Sequence, residues 1–284
     1  MKISKRLSEK LAIILGGEIL DFSQIPTVVN ITNLRTFKAT LLGRPTTDPL
    51  NNIFSFGATN LRGQTLNIGW FALRQTEITS VVNRLNRDNI TVTSICEYSS
   101  FLLPKITYVY FQSLSNPISF AVKMRRILNQ LPDVGINQDN ATSQPSRACT
   151  QFSSIVGTKF TEVIGTSCEA VDSRNVGVKI LNQRAPSIDV GLINFSIESV
   201  DKKNIGLCIG TVALLRHEVD PFIKLIREET GFIDASLTSP WFGSPDILYF
   251  NYVTIKNIFR FAIESKLALK FLKNRSVDLS LVKN

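Results

Sequence analysis

Three residues with reactive or coordinating side chains, Cys96, Glu97 and Tyr98, end the apolar segment "ITVTSICEY", which predicts a buried strand. On a strand, residues two apart point to the same side, so Cys96 and Tyr98 would share one face and Glu97 would lie on the other. A thiol, a phenol and a carboxylate could together hold a metal ion or supply a nucleophile. The sequence offers no histidine base beside them and nothing that would lower the pKa of the Cys96 thiol. A packed, unreactive cluster is therefore the alternative.

Two glutamates, Glu77 and Glu218, stand at the predicted starts of amphipathic helices, and His217 precedes the second of them. His217 is the only histidine of the chain, so a histidine-based catalytic set would have to use it. We consider Glu77 a candidate catalytic residue, and His217 and Glu218 candidate ligand-binding residues. A glutamate at a helix N-terminus also interacts favourably with the helix dipole. A helix start on the surface would therefore account for all three residues without a site.

The composition is that of a globular protein with a diffuse basic charge. Of 284 residues, 44% are hydrophobic and 19% charged, and the formal net charge is +9, most of it in the first 140 residues. No run of five like charges occurs, so nucleic acid is not the expected partner. No segment approaches the roughly 18 apolar residues of a membrane span, and the N-terminal segment "KRLSEKLAIILGG" predicts an amphipathic helix rather than a signal peptide.

The four cysteines, Cys96, Cys149, Cys168 and Cys208, lie far apart and form no C-x-x-C pair. This spacing predicts reduced, mostly buried thiols and a cytoplasmic protein.

The second half of the chain repeats the pattern of the first at an offset of 141 residues. The segment "NIGWFALRQTEITSVVNRL" falls on "CIGTVALLRHEVDPFIKLI", and "NPISFAVKMRRILNQL" falls on "NIFRFAIESKLALKFL". Identities include Glu77/Glu218 and Tyr108/Tyr249, and apolar positions stay in step without a gap. The pattern predicts a duplicated domain, with copies at 1–132 and 147–273, a linker at 133–146 and a tail at 274–284.

Each copy predicts the same order of elements. A short helix (5–15 and 147–156) precedes two extended segments, "TFKATLLG" with "NIFSFGATN" in the first copy. A strand then leads into a helix (75–88 and 217–229), followed by two strands and a closing helix. We expect an α+β fold of two tandem similar domains, each a mostly antiparallel sheet with helices on one face and a ferredoxin-like β-α-β-β-α tail.

Both copies resemble the LppY/LpqO family, a bacterial domain of unknown function (DUF1259). The best-matching segments of the first copy are "FSFGATNLRGQTLNIGWFALRQTEI" and "ITVTSICEYSSFLLPKITYVYFQSLSNPISFA". Those of the second are "FSIESVDKKNIGLCIGTVALLRHEVDPFI" and "PDILYFNYV". Family members typically carry an equivalent of "VTALHNHWLF", then a proline and "YIHF". The resemblance covers nearly the whole chain.

The resemblance implies that both copies lack the family histidines. In the first copy these histidines fall on Cys96, Tyr98 and Tyr110, with Glu97 between the first two. In the second copy the corresponding residues are Leu237, Thr238, Ser239 and Asn251. Imidazoles at such positions would converge on one point and suit a metal or acid/base site. Their replacement implies a degenerate site with no metal and no cofactor, although Glu77, Cys96, Glu97, Tyr98 and Tyr110 stay as catalytic candidates.

Three functions fit these observations. A non-catalytic tandem-domain protein would bind a protein or small-molecule partner, because the fold pattern persists while the histidines are gone. A divergent enzyme would use a pocket of the first copy around Glu77 and Cys96. The net charge would suit a weak binder of anionic surfaces or nucleic acid. The ligand, the pathway and the oligomeric state are not encoded in any recognisable motif.

Overall fold

The computed structural model describes residues 3–20, 28–135 and 144–272, and these form two similar halves. The first half contains, in chain order, α1 (Lys5–Leu15), β1 (Glu18–Ile19), β2 (Val29–Leu34), β3 (Ala39–Leu41), β4 (Arg44–Thr46), β5 (Asn51–Phe56), β6 (Thr65–Arg74), α2 (Ile78–Arg87), β7 (Thr91–Glu97), β8 (Leu102–Leu103), β9 (Ile106–Ser115) and α3 (Pro117–Leu128).

The second half follows the same order. It contains α4 (Arg147–Val156), β10 (Phe160–Ile164), β11 (Ser167–Ser173), β12 (Lys179–Ile180), β13 (Gln183–Arg184), β14 (Leu192–Glu198), β15 (Ile205–Leu215), α5 (Val219–Glu229), β16 (Asp234–Thr238), β17 (Gly243–Ser244), β18 (Ile247–Asn257) and α6 (Ile258–Phe271).

Each half is built on a six-stranded sheet. The strand orders are β1-β2-β5-β6-β9-β7 and β10-β11-β14-β15-β18-β16, and all pairs between named strands are antiparallel in the part of the chain that the structure describes. Small three-stranded sheets, β4-β3-β8 and β13-β12-β17, lie beside them. The expected α+β fold of two similar halves is confirmed.

The helices begin and end where local chemistry dictates. Ser4 and Ser146 cap α1 and α4 by accepting a hydrogen bond from the backbone N–H three residues on, which satisfies one of the free donors of a helix start. Gly16 and Gly157 end the same helices with φ values of 62° and 77°, a conformation that glycine adopts without penalty. The predicted ranges 5–15 and 147–156 are confirmed.

One predicted strand is wrong in both halves. The segments "TFKATLLG" and "NVGVKILN" contribute only the short strands β3 and β12 to the small sheets. The main sheets instead use β2 and β11, which pair with β5 and β14. The predicted linker 133–146 lies mostly, and the tail 274–284 wholly, outside the described residues.

The two sheets face each other, so the molecule has four layers: helices, sheet, sheet, helices. Alternate residues of β9 show this, because Val109 and Phe111 pack with the helices while Tyr108 and Tyr110 pack between the sheets. In β18, Phe250 packs with the helices in the same way. The central layer contains buried residues from both halves. Strands covered on both sides read as continuous apolar runs, as "ITYVYF" does.

Polar contacts join the halves around the edge of this central layer. The buried carboxylate of Glu198 accepts hydrogen bonds from the hydroxyl of Thr46, from the backbone N–H (2.9 Å) and hydroxyl (2.8 Å) of Thr47, and from the hydroxyl of Thr166 (2.8 Å). The hydroxyls of Ser55 and Ser187 lie 2.7 Å apart across the same interface. These bonds fix one half against the other.

The cysteine prediction is wrong for two of the four residues. Cys149 on α4 and Cys168 on β11 form a disulfide, whereas Cys96 and Cys208 are free. The helix packs over the strand, so folding brings together two residues that the sequence separates. Disulfides are typical of oxidising compartments, so the cysteines no longer support a cytoplasmic location. No helix within the described ranges is both long and apolar enough to cross a bilayer.

Candidate functional site

Glu77 and Glu218 each form a buried ion pair with an arginine. Arg35 donates to both carboxylate oxygens of Glu77, at 3.0 and 2.7 Å. Arg174 donates to both oxygens of Glu218, at 2.6 Å each. In both halves the same guanidinium also donates to a carbonyl of the neighbouring strand, that of Ala72 or Ala213. Two-pronged contacts of this kind fix geometry as well as charge.

These pairs give both glutamates a structural role. The second oxygen of each carboxylate also accepts a backbone N–H, from Arg74 (2.8 Å) or Leu215 (2.9 Å), so the carboxylate closes the turn before the helix. Burial alone would raise the pKa of Glu218, yet the hydrogen bonds from Arg174 and the backbone hold it below its usual value. The two arginines are 139 positions apart and the two glutamates 141, so the repeat does contain compensating gaps.

The residues of the opening segment separate in the structure. Glu97 is exposed and pairs with Lys105 at 2.5 Å. Cys96 is half-buried against the central layer. Burial raises the pKa of its thiol, and a hydrogen bond with the side chain of Thr238 only partly offsets this. A thiol with a raised pKa is a poor nucleophile at neutral pH. His217 is exposed.

Tyr98 and Tyr110 line a cavity between the two sheets, here called the central cavity, of about 70 Å³. Asn251, which corresponds to Tyr110 in the second half, lines it as well. Thus three of the positions to which the resemblance assigns site residues meet at one place. Glu77, Cys96, Glu97, His217 and Glu218 do not line it.

Three carboxylates lie on the cavity wall: Glu169 and Asp189 are buried and Asp48 is half-buried. Burial and the nearby Glu198 raise the pKa of Asp48 to about 6, although hydrogen bonds from Ser196 and Tyr98 oppose the shift. Burial also raises the pKa of Asp189 to about 6. The pKa of Glu169 is raised well above its usual value by burial and by the neighbouring carboxylates, Asp48 first among them. In all three, burial outweighs the hydrogen bonds that favour the charged form.

Some polar atoms of the wall have no hydrogen-bond partner among the described residues. They include Oδ1 of Asn51, Nε1 of Trp70 and Oδ1 of Asn194. Asn51 is only 6% and Trp70 only 8% exposed, so bulk solvent does not serve them. Buried polar groups are normally satisfied, so these atoms mark places where an occupant of the cavity would bond.

Sequence reasoning missed the acids of this wall, although a signal was present. Asp48 and Asp189 are identical residues at the offset of 141, and the aligned halves would have shown them. No signal of that kind exists for Glu169 or for Arg35 and Arg174. Within the described residues, no three histidine, cysteine, aspartate or glutamate side chains are grouped so that they could hold a metal ion.

Comparison with known proteins finds a similarity in the first half of the chain. The model of a family described as a Domain of Unknown Function (DUF1259) matches residues 9–130. No curated protein and no solved structure matches the chain. The chain is therefore similar to this family over residues 9–130.

Proposed function

We propose that this protein is a non-catalytic double domain that binds a small polar molecule in the central cavity. In this proposal the second half is a further copy of the same LppY/LpqO family, and both copies have lost the histidines of the family site. The observation that carries the proposal is that three residues with unpartnered polar atoms, Asn51, Trp70 and Asn194, line one cavity between the halves.

The volume supports a small ligand. One water molecule needs about 10–15 Å³ of such space, whereas pockets for drug-sized ligands measure about 300–1,000 Å³. At about 70 Å³, the central cavity has room for a molecule of a few heavy atoms. The walls come from both halves, so the ligand would contact each of them.

The side chains also favour binding over catalysis. The thiol of Cys96 has a raised pKa and does not line the cavity. Glu77 is fully engaged by Arg35 and the backbone. The wall contains hydroxyls, amides and carboxylic acids, which are groups that orient a ligand.

The two tryptophans of the chain give a direct test. Trp70 lines the cavity and Trp241 does not, so the indole N–H signals of ¹⁵N-labelled protein report binding and its control in one spectrum. We expect members of a set of neutral, cationic and anionic fragments of two to six heavy atoms to shift the Trp70 signal more than the Trp241 signal. If no fragment does so, the central cavity is not a binding site.

A cavity-filling variant provides the matched control. Ile53→Phe places extra atoms on the cavity wall, whereas Ile95→Phe makes the same change at a residue of β7 that is 50% exposed. We expect the first variant to lose the Trp70 response and the second to keep it. Overpacking costs about 1–3 kcal/mol, so the dispersion of the remaining signals serves as the check on folding.

A further inference from the structure

The charges on the wall of the central cavity are of one sign. Asp48, Glu169 and Asp189 line it, whereas no described lysine, arginine or histidine does. Glu169 and Asp189 are buried, and Asp48 is half-buried. This asymmetry stands out in a chain with a net charge of +9.

The partners of these acids are uncharged. Asp48 accepts hydrogen bonds from the hydroxyls of Tyr98 (2.8 Å) and Ser196 (2.7 Å). Asp189 accepts one from Ser187 (3.0 Å), and Glu169 accepts one from the amide of Asn194 (3.2 Å). Hydroxyls and amides solvate a carboxylate only partly, so the negative potential in the cavity is left uncompensated by protein cations.

Aromatic rings form the rest of the wall. Trp70 lies with its ring centroid 5.9 Å from that of Tyr108 and 5.7 Å from that of Tyr110. The rings of Tyr108 and Tyr110 are inclined at 80°, as are those of Tyr110 and Tyr249 at 85°. Rings at such angles offer both faces and edges to one space, and aromatic faces attract cations.

The unpartnered acceptors are a second, independent indication of the chemistry of a ligand. Asn51 directs its amide N–H to the carbonyl of Asp48 at 3.1 Å, which leaves Oδ1 as its free atom. Asn194 uses its amide N–H on Glu169, which leaves Oδ1 free in the same way. Both atoms need a hydrogen-bond donor, and an ammonium group carries donors only.

We propose that the central cavity binds a small organic ammonium ion, with the carboxylates and the free amide oxygens around its N–H groups and the aromatic rings around its carbon atoms. This inference rests on the proposed ligand-binding function and names the chemical class of the ligand. A hydroxyl on the same ligand would accept from the free Nε1–H of Trp70, so an amino alcohol would satisfy every unpartnered atom named above.

Matched probes test this inference. Ethylammonium, ethanol and acetate are of similar size and differ in charge, and ethanolammonium adds a hydroxyl. Each is titrated into ¹⁵N-labelled protein at pH 7.5 while the indole N–H signal of Trp70 is followed against that of Trp241. We expect ethylammonium to bind about tenfold more tightly than ethanol, ethanolammonium to bind at least as tightly as ethylammonium, and acetate not to bind.

The outcomes separate the inference from the function on which it rests. Ethanol or acetate binding as tightly as ethylammonium would overturn the cationic ligand and leave the binding site intact. No response of Trp70 to any probe would overturn both. Asp189→Asn should weaken the binding of ethylammonium about tenfold and leave the binding of ethanol unchanged. If Asp189→Asn does not fold, Asp48→Asn tests the same expectation. Glu97→Gln removes an exposed acid outside the cavity and should change neither affinity.

Discussion

The first half of the chain gives the central cavity aromatic side chains where the second half gives smaller polar ones. Trp70 corresponds to Thr211 and Tyr110 to Asn251 at the offset of 141, and all four line the cavity. Asp48 and Asp189 are the same in both halves. The two backbones thus supply equivalent positions to one space, and the side chains have diverged there into an aromatic wall and a polar wall.

The buried ion pairs behind these walls are the same in both halves. Arg35 with Glu77 and Arg174 with Glu218 keep the same two-pronged geometry and the same strand carbonyl contact. The two halves thus match in the framework and differ at the cavity. The framework needs one arrangement in each half, whereas the cavity is formed once from two unequal parts.

The largest expected effect is the loss of a framework pair. Arg35→Met and Arg174→Met should each lower the free energy of unfolding by about 3–5 kcal/mol, because a buried glutamate is left without its partner. Chemical denaturation measures this. Arg84→Met, which removes a partly exposed pair with Asp88, should cost less than about 1 kcal/mol. A large loss of stability for one variant and a small loss for the other would show that the two ion pairs are not equivalent.

A smaller effect should appear in the second half alone. Cys149→Ser opens the disulfide to Cys168, 19 residues away, and should lower the free energy of unfolding by about 3 kcal/mol. Ser8 is the residue at the equivalent place on α1. Cys96→Ser leaves the disulfide intact and is the control. A thiol assay of the unfolded wild type should detect two free thiols before reduction; four would contradict the disulfide.

The smallest effect is a pH dependence shared by the walls. The pKa values of Asp48 and Asp189 are raised to about 6, so the folded state holds protons that the unfolded state releases near pH 4. Stability from these groups is therefore present at low pH and is lost as the pH rises from about 4 to above 6. Between pH 7.5 and 5, each group should contribute about 1 kcal/mol of added stability.

Thermal unfolding of the wild type and of the Asp48→Asn/Asp189→Asn variant, each at several pH values, isolates this contribution from other titrating groups. Asp48 faces Glu198 and Glu169, and these acids stay in both proteins. The variant should show a flatter rise in stability toward pH 5. Identical pH profiles for the two proteins would mean that burial does not raise the pKa values of these aspartates.

Much of the framework was predictable from sequence because it follows local rules. The amphipathic helix after β6 and the serine and glycine caps of α1 are encoded within a few residues of where they act. The strand β2 was missed because the segment after it, "TFKATLLG", has a strong β-propensity of its own. That segment was assigned to the main sheet instead, although it contributes only a short strand to a small sheet. Propensity does not report which of two extended segments enters the main sheet.

The site was less predictable because it is formed by contacts between the halves. Tyr110 was identified only through the resemblance, and Asp48, the hydrogen-bond partner of Tyr98, sits in a segment whose motif signals a turn. Arg35 and Glu77 are distant in sequence, and the two-residue change of offset at Arg174 hid the repetition of their pair. Pairing between residues that are distant in sequence produces no periodic pattern in the sequence.

The matched segment 9–130 and the physical unit of this protein are of different extent. Glu198 is held by hydroxyls from two threonines of the first half, and Tyr110 of β9 packs against Trp241 and Tyr249 of the second half. Cutting the chain between the halves would expose a sheet face of each piece to water and would leave the carboxylate of Glu198 with the hydroxyl of Thr166 in place of four donors. Either piece alone should aggregate and be poorly ordered. Recombinant expression should therefore include both halves.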